Sequence, residues 1–256
     1  MQKYIIQGYG GLYNIPEIRK YYDYSEFMNF GYWDKHTLNQ KQACENLMKK
    51  LLAFIPNKTG TILDVACGRG ESTSYLLKYY ASENVTGIDI SHRELNVARC
   101  KAPGCCFIVM SATELGFRAE FFDNIICVEA PFHFYSREDF FLEAYRVLKP
   151  GGYLVVSDVL MTEEAERTRK DRTERNFVKD LGEYKAILQR TGFDKVVVVD
   201  ATEHSWKSHF WNVVTCFHQR FLNQEITRDE LQSYLDRTYR RARDIEWYPL
   251  AAARKV

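Results

Sequence analysis

The chain has no apolar run approaching the ~20 residues that a membrane-spanning helix requires. Its first thirty residues mix acidic, basic and aromatic side chains without a continuous apolar stretch, so no secretory leader is expected. It also lacks a charge excess of either sign: 35 Lys and Arg against 34 Asp and Glu leave a formal charge of +1. A duplex nucleic-acid binder needs a basic surplus to neutralise phosphates, so no nucleic-acid partner is expected. The seven cysteines are odd in number and form no Cys-x-x-Cys pair, and the adjacent Cys105 and Cys106 are poorly placed for an ordinary bridge. A reduced, cytoplasmic setting is the simplest expectation. His and Cys never combine at a metal-ligand spacing, and the acids form no metal cluster, so no metal is expected. There is no internal repeat and no low-complexity tract.

What is present is a large apolar fraction, 46% of 256 residues, enough for the core of one sizeable α/β domain. Residues 1–36 are rich in tyrosine without a strand pattern and read as a mobile or helical cover. Ala43, Leu47, Leu51 and Ile55 then fall at helical spacing up to Pro56. Apolar strands and helices alternate from there. Strands are expected over Thr61–Val65, Asn84–Asp89, Cys106–Met110, Phe122–Glu129 and Tyr153–Asp158. Helices are expected over Glu71–Tyr80, Ser91–Cys100 and Arg137–Val147, with Ser91 and Glu94 at capping-box spacing. This rhythm predicts a doubly wound, mostly parallel, Rossmann-like sheet. Beyond Asp158 the charged run Met161–Arg175 reads as an exposed cap or lid helix, Asn176–Arg190 as a helix and Phe193–Asp200 as a strand. An aromatic segment (Trp206 to Phe221) and a charged helix (Asp229–Asp244) precede a last strand within Trp247–Lys255, the seventh of the sheet.

The loop Asp64-Val65-Ala66-Cys67-Gly68-Arg69-Gly70 carries the sharpest signal. Gly68 and Gly70 allow a tight turn and close approach of a ligand to the backbone. Asp89 follows Gly68 by 21 residues at a strand end, where a carboxylate can accept both hydroxyls of a ribose. A glycine pair alone is weak evidence, but strand, loop, helix and spaced acid together are strong. A dinucleotide site would favour a third glycine, and position 73 is Thr. A carboxylate at Asp64 suits a ligand with an ammonium group better than a pyrophosphate, so S-adenosylmethionine is preferred over NAD.

The stretch from Ile62 to Leu160 resembles the class I methyltransferases, in particular their small-molecule group with ubiquinone/menaquinone-type and natural-product O-methyltransferases. The matching pieces are Leu63–Gly70, Gly87-Ile88-Asp89-Ile90-Ser91, Phe122-Asp123-Asn124-Ile125-Ile126 and Arg146-Val147-Leu148-Lys149-Pro150-Gly151-Gly152, and Tyr248–Lys255 is similar to the family's closing strand. The resemblance implies that Ala66, Gly68 and Gly70 offer backbone to the methionine moiety, with Cys67 a small packed member of that loop. It implies Asp89 on the ribose, Ile90 on the adenine face, and Ser111, Ala112 and Thr113 at the adenine edge. Ser111 stands where the family has Asp, and Gly116 replaces its usual proline. Glu129 would lie near the methyl donor. Phe30-Gly31-Tyr32-Trp33 resembles a segment in which Tyr32 and Trp33 would cover the cofactor.

Methyl transfer to a hydroxyl needs alignment, exclusion of water and removal of a proton. His133, just after the fourth strand, lies at the carboxyl edge of the sheet, where ligands sit. Asp158 ends the fifth strand at the same edge, close enough to predict a His–Asp pair that fixes the imidazole tautomer. Sugar O-methyltransferases of natural-product pathways look similar here. His92 reads as a surface residue, and His204, His209 and His218 as packing or surface residues of the aromatic segment. No Asn/Asp-Pro-Pro-Tyr/Phe tetrad follows the fourth strand, which reads Glu129-Ala130-Pro131-Phe132.

The chain therefore divides into a cover (1–36), a cofactor-binding core (37–160), cap helices with strand six (161–204), an aromatic and helical insertion (205–246) and a final strand (247–256). The expected activity is methyl transfer from S-adenosylmethionine to a small molecule, most simply a hydroxyl of a natural product or sugar. A small-amine N-methyltransferase and a non-catalytic cofactor-binding regulator are the alternatives. No membrane partner is expected, and the exposed aromatics of the insertion could form a homodimer face.

Overall fold

The computed structural model describes residues 14–169 and 173–256. Tyr4, Tyr9 and Tyr13 of the tyrosine-rich cover, and part of the charged run Met161–Arg175, lie outside the described residues. The strands are β1 (Ile62–Val65), β2 (Val85–Asp89), β3 (Cys106–Val109), β4 (Phe122–Val128), β5 (Leu148–Ser157), β6 (Leu160–Met161), β7 (Lys195–Asp200), β8 (Ile245–Trp247) and β9 (Pro249–Arg254). The main sheet has seven strands in the order β3-β2-β1-β4-β5-β9-β7. β1 to β5 pair in parallel, while β9 runs antiparallel between β5 and β7. β6 and β8 form a separate short antiparallel pair.

Successive side chains of the central strands are buried alternately on the two faces, which shows why the sheet needs a helical layer on each face. Leu63, Val65, Ile125, Cys127, Leu154 and Val156 point to one cluster, and Ile62, Ile126, Val155 and Leu250 to the other. The helices are α1 (Pro16–Tyr21), α2 (Gln40–Ala53), α3 (Glu71–Leu76), α4 (His92–Lys101), α5 (Arg137–Val147), α6 (Glu163–Thr168), α7 (Leu181–Arg190), α8 (Ser208–Leu222) and α9 (Arg228–Asp244). α5 and α7 cover the first cluster through Phe140, Phe141, Tyr184 and Leu188. α2 and α8 cover the second through Leu47, Leu51, Phe210 and Val214. Side chains cap the helix starts: Asn39 accepts from Gln42 N–H at 2.9 Å, Ser136 from Asp139 N–H at 3.0 Å, and Asp180 from Glu183 N–H at 2.9 Å. Ser91 caps α4 as expected, but the reciprocal half of its capping box is replaced, because Glu94 turns to Arg69.

Some boundaries differ from the sequence reading. The helix expected over Asn176–Arg190 begins only at Leu181, because Asp180 takes the N-cap and Phe177 is extended. α3 stops at Leu76 rather than Tyr80. The charged run is not wholly exposed: α6 spans Glu163–Thr168, and Ala165 and Glu166 are buried on it. In the aromatic segment Trp206, Phe210 and Phe217 turn inward, whereas Trp211 and Leu222 face solvent. No helix among the described residues is long and apolar enough to cross a membrane.

The strand order reverses between β1 and β4, since the chain winds from β1 through β2 to β3 and then returns to β4 and β5. In such a sheet the crevice for a ligand opens beyond the carboxyl ends of the strands at that reversal.

Candidate active site

The carboxyl end of β1 runs into a loop with three left-handed positions, Ala66 (φ 57°), Gly68 (φ 52°) and Gly70 (φ 79°). Ala66 holds this conformation despite its Cβ, a strained arrangement of the kind found at functional sites. Gly70 has a further constraint: a Cβ there would stand 2.8 Å from the Ala98 Cβ, so α4 packs directly on the loop. Cys67 N–H donates to the Ile88 carbonyl at 3.0 Å, and Gly68 N–H to the Asp89 carboxylate at 3.0 Å. Ser91 N–H donates to the other Asp89 oxygen at 2.8 Å. Burial raises the Asp89 pKa, and these backbone donors oppose that rise.

A cavity opens over these strand ends. Ala66, Cys67, Gly68, Asp89 and Ile90 line it beside Ser111, Ala112 and Thr113 beyond β3, and Glu129 and His133 beyond β4. The Ser111 and Thr113 hydroxyls lie 3.1 Å apart. Glu129 is a second strained non-glycine residue (φ 52°), so the ends of the neighbouring strands β1 and β4 both kink into the same cavity. Its Oε2 accepts the Tyr248 hydroxyl at 2.6 Å and the Phe30 N–H at 2.8 Å. Burial pushes the Glu129 carboxyl up to about 8. His133 closes a single 3-10 turn, Pro131–His133, and its ring lies 3.8 Å from that of Phe132.

Five residues of the sequence reading take other places. Asp64 is buried beneath the loop and does not line the cavity. Its Oδ2 accepts the hydroxyls of Ser72 at 2.7 Å and Thr73 at 2.6 Å, so it anchors the start of α3 instead of meeting an ammonium group. Gly70 shapes the turn without lining the cavity. Tyr32 and Trp33 are also away from it. Tyr32 stacks on His204 with ring centroids 4.8 Å apart, and Trp33 N–H donates to the His204 carbonyl at 2.6 Å. The segment that lies over the cavity is Glu26–Asn29, a few residues earlier. Asp158, finally, does not orient His133: its carboxylate meets Arg137 at 2.7 Å and accepts Phe132 N–H at 3.0 Å. A buried arginine four residues after His133 takes this carboxylate, meeting both of its oxygens at once. His209 sits in the core against Phe30 and Gln40, and burial lowers its pKa to about 3, which keeps it neutral.

Sequence reasoning missed Glu26, Glu71 and Glu94 as lining residues. Glu71 and Glu94 stand in the first turns of the helices that follow the two ligand loops, a position that could have identified them. Nothing in the spacing of the cover marked Glu26. With Asp89 and Glu129 they make five carboxylates around the cavity, and among the described residues no Lys or Arg lines it. Arg69 pairs with Glu26 and Glu94, and Lys101 with Glu71. Asp89 and Glu129 have no ion pair among the described residues. Such a lining repels pyrophosphate and suits a nucleoside that carries a positive charge. These are the positions at which the sequence reading expects a ribose (Asp89), an adenine (Ile90 and Ser111–Thr113) and the methyl donor (Glu129), and all of them line the one cavity.

Residues 63–156 match the family described as a methyltransferase domain. Over these residues the chain carries a methyltransferase domain of the S-adenosylmethionine-dependent kind. This methyltransferase is 30% identical over 141 residues to erythromycin 3''-O-methyltransferase of Saccharopolyspora erythraea, an alignment covering 52% of this chain and 46% of that protein. It is 29% identical over 199 residues to 27-O-demethylrifamycin SV methyltransferase of Amycolatopsis mediterranei, covering 71% and 72%. The chain thus spans about half the length of the first relative and nearly three quarters of the second. Its fold is that of geranyl diphosphate C-methyltransferase from Streptomyces coelicolor A3(2), solved with Mg2+, geranyl diphosphate and S-adenosyl-L-homocysteine, with a TM-score of 0.70 at 16% identity over 100% of this chain and 97% of that one.

Proposed function

We propose that this methyltransferase methylates a hydroxyl of a small molecule of natural-product or sugar type, with His133 as general base. The observation that supports it is one of placement: His133 lines the same cavity as the ribose-site carboxylate Asp89, at the end of the adjacent half of the sheet. Bound S-adenosylmethionine supplies a methyl group on a sulfonium, already activated for in-line displacement. The protein has to orient the acceptor, exclude water and take its proton. Phe134 and Tyr135 give the acceptor end an apolar wall beside the imidazole. The relatives named for O-methylation of erythromycin and for 27-O-demethylrifamycin support a hydroxyl acceptor. Asp158 serves the base indirectly, by holding the Phe132 N–H next to it.

His133→Ala is expected to lower turnover on a hydroxyl acceptor by about 10²–10⁴-fold while S-adenosylhomocysteine still binds. Turnover that stays at the wild-type level would refute the assignment of the base. The five cavity carboxylates favour a second reading, a small amine as acceptor, since a cation would be held there without a base. An acceptor screen separates the two readings: methylation confined to amines, with turnover indifferent to His133, would select the second.

A further inference from the structure

Glu129 differs from the other acids of the cavity: Asp89, also without an ion pair among the described residues, has a backbone N–H on each of its oxygens. Glu26 and Glu94 share Arg69, and Glu71 has Lys101. Glu129 is buried, lines the cavity and meets no cation within ion-pair distance among the described residues. Its Oε2 is committed to the Tyr248 hydroxyl and the Phe30 N–H, and no described donor reaches Oε1. A bound proton therefore belongs on Oε1. The backbone strain at Glu129 (φ 52°) and the tie to Tyr248, 119 residues away, hold the carboxyl at this place.

Its position relative to the cofactor follows from the sheet. Asp89 and the Ser111–Thr113 edge stand beyond β2 and β3, so the nucleoside lies over that half. An extended donor then crosses β1 toward β4, whose Cys127 is the register partner of Val65. Glu129 lies two residues past that partner, where the sulfur end arrives. We propose that Glu129 reads the charge of the bound nucleoside: it is ionised opposite the sulfonium of S-adenosylmethionine and protonated on Oε1 when the neutral thioether S-adenosylhomocysteine is bound. Methyl transfer removes one positive charge from the cavity, and uptake of one proton by Glu129 restores it. The inference rests on the cofactor alone and is independent of the acceptor and of His133.

The surroundings of Glu129 permit such a change. Burial raises its pKa to about 8 and outweighs the Tyr248 and Phe30 donors; Asp158 beyond β5 adds to the rise and Arg241 of α9 opposes it. Tyr22 and Cys44, both near enough to feel its charge, are pushed well above their ordinary values, chiefly by burial, and stay neutral. Across the cavity stand Glu26, Glu71, Asp89, Glu94 and His133. A ligand that selects the carboxylate binds more weakly below that pKa, so affinity for S-adenosylmethionine should rise about tenfold from pH 7 to pH 9. Affinity for S-adenosylhomocysteine, which shares the ammonium and carboxylate of the methionine chain, should lack this component.

Isothermal titration calorimetry of the full chain at pH 7, in two buffers of different ionisation enthalpy, measures the proton count directly. The expected result is release of roughly 0.9 proton on binding S-adenosylmethionine beyond that for S-adenosylhomocysteine. Glu129→Gln should abolish the difference and keep S-adenosylhomocysteine affinity within a few fold. Tyr248→Phe removes a donor that favours the carboxylate and should move the midpoint of the pH dependence upward. Equal proton release for the two nucleosides in the wild type, or an unchanged difference in Glu129→Gln, overturns the proposal. If Glu129→Gln loses both ligands, the Tyr248→Phe midpoint decides, and an unmoved midpoint overturns it.

Discussion

Arg137 holds Asp158 at 2.7 Å through Nε and at 3.3 Å through Nη2, with both side chains sealed from solvent. The same guanidinium donates to the Val159 carbonyl at 2.9 Å and to the Asn176 carbonyl, and the Arg137 N–H donates to the Asn176 side chain at 2.7 Å. Asn176 in turn donates to the Pro131 carbonyl at 3.1 Å, while Asp158 accepts from Phe132 N–H. The backbone leading into His133 is thus held from behind by a buried ion pair and an amide. A charge pair of this kind is costly to leave half made, because the surviving partner has no water to turn to.

Arg137→Met should therefore destabilise the protein by about 3–5 kcal/mol, since Asp158 is left buried without its cation. Replacing both members, as Arg137→Met with Asp158→Leu, should recover part of that loss. Denaturant unfolding of the two variants checks this. A loss below about 1 kcal/mol in the single variant would mean that the pair has an alternative partner.

Asp89→Ala should weaken S-adenosylhomocysteine binding by about 10–100-fold. It removes a charged acceptor from the ribose site, at about 1.5–3 kcal/mol, and leaves the Gly68 and Ser91 N–H groups without their acceptor. Calorimetric affinity at fixed pH is the measurement. Binding as tight as wild type would remove Asp89 from the ribose.

Gly70→Ala is expected to cost about 1–3 kcal/mol of stability and to weaken cofactor binding with it. The added Cβ would meet Ala98 at 2.8–2.9 Å in a backbone with φ +79°. Gly151→Ala serves as the comparison. It has a similar φ of +84°, but its nearest contact is the Arg254 guanidinium at 3.6 Å, so only the backbone term remains. Thermal unfolding should place Gly70→Ala below Gly151→Ala.

Asp64 should make stability depend on pH. In the folded chain burial raises its pKa from 3.8 to about 6. The folded state then binds more protons than the unfolded state between those values, so this contribution is full below about pH 4 and lost as pH rises through 6, by about 3 kcal/mol. Glu129, raised from 4.5 to about 8, acts in the same sense further up the scale. The stability of the wild type relative to Asp64→Asn should fall between pH 4 and pH 6.5. A difference that is flat with pH would show that Asp64 is solvated.

Much of the core was legible in sequence because its signals are local. Parallel strands buried on both faces read as short apolar runs, and Gly68, Asp89 and Ser91 occupy positions set by two successive strand–loop–helix units. The ten residues of the reading that line the cavity lie at or beyond the carboxyl ends of β1, β2, β3 and β4. The five that do not share a different cause. Asp64 and Gly70 point into helix packing, and Tyr32 and Trp33 pack on α2 and the turn at His204. Asp158 was placed at the correct edge of the sheet, but sequence proximity to that edge could not show that Arg137 competes for it.

The sequence by itself determined the doubly wound sheet, the glycine loop after β1 and the acid at the end of β2, because each depends on spacing within a few dozen residues. Only the tertiary structure decided which carboxyls face the cavity, that Arg137 takes Asp158 from His133, and that Tyr248 and Phe30 converge on Glu129. Those contacts join residues 21, 119 and 99 positions apart, and their outcome depends on burial and competition among charges that no local pattern records.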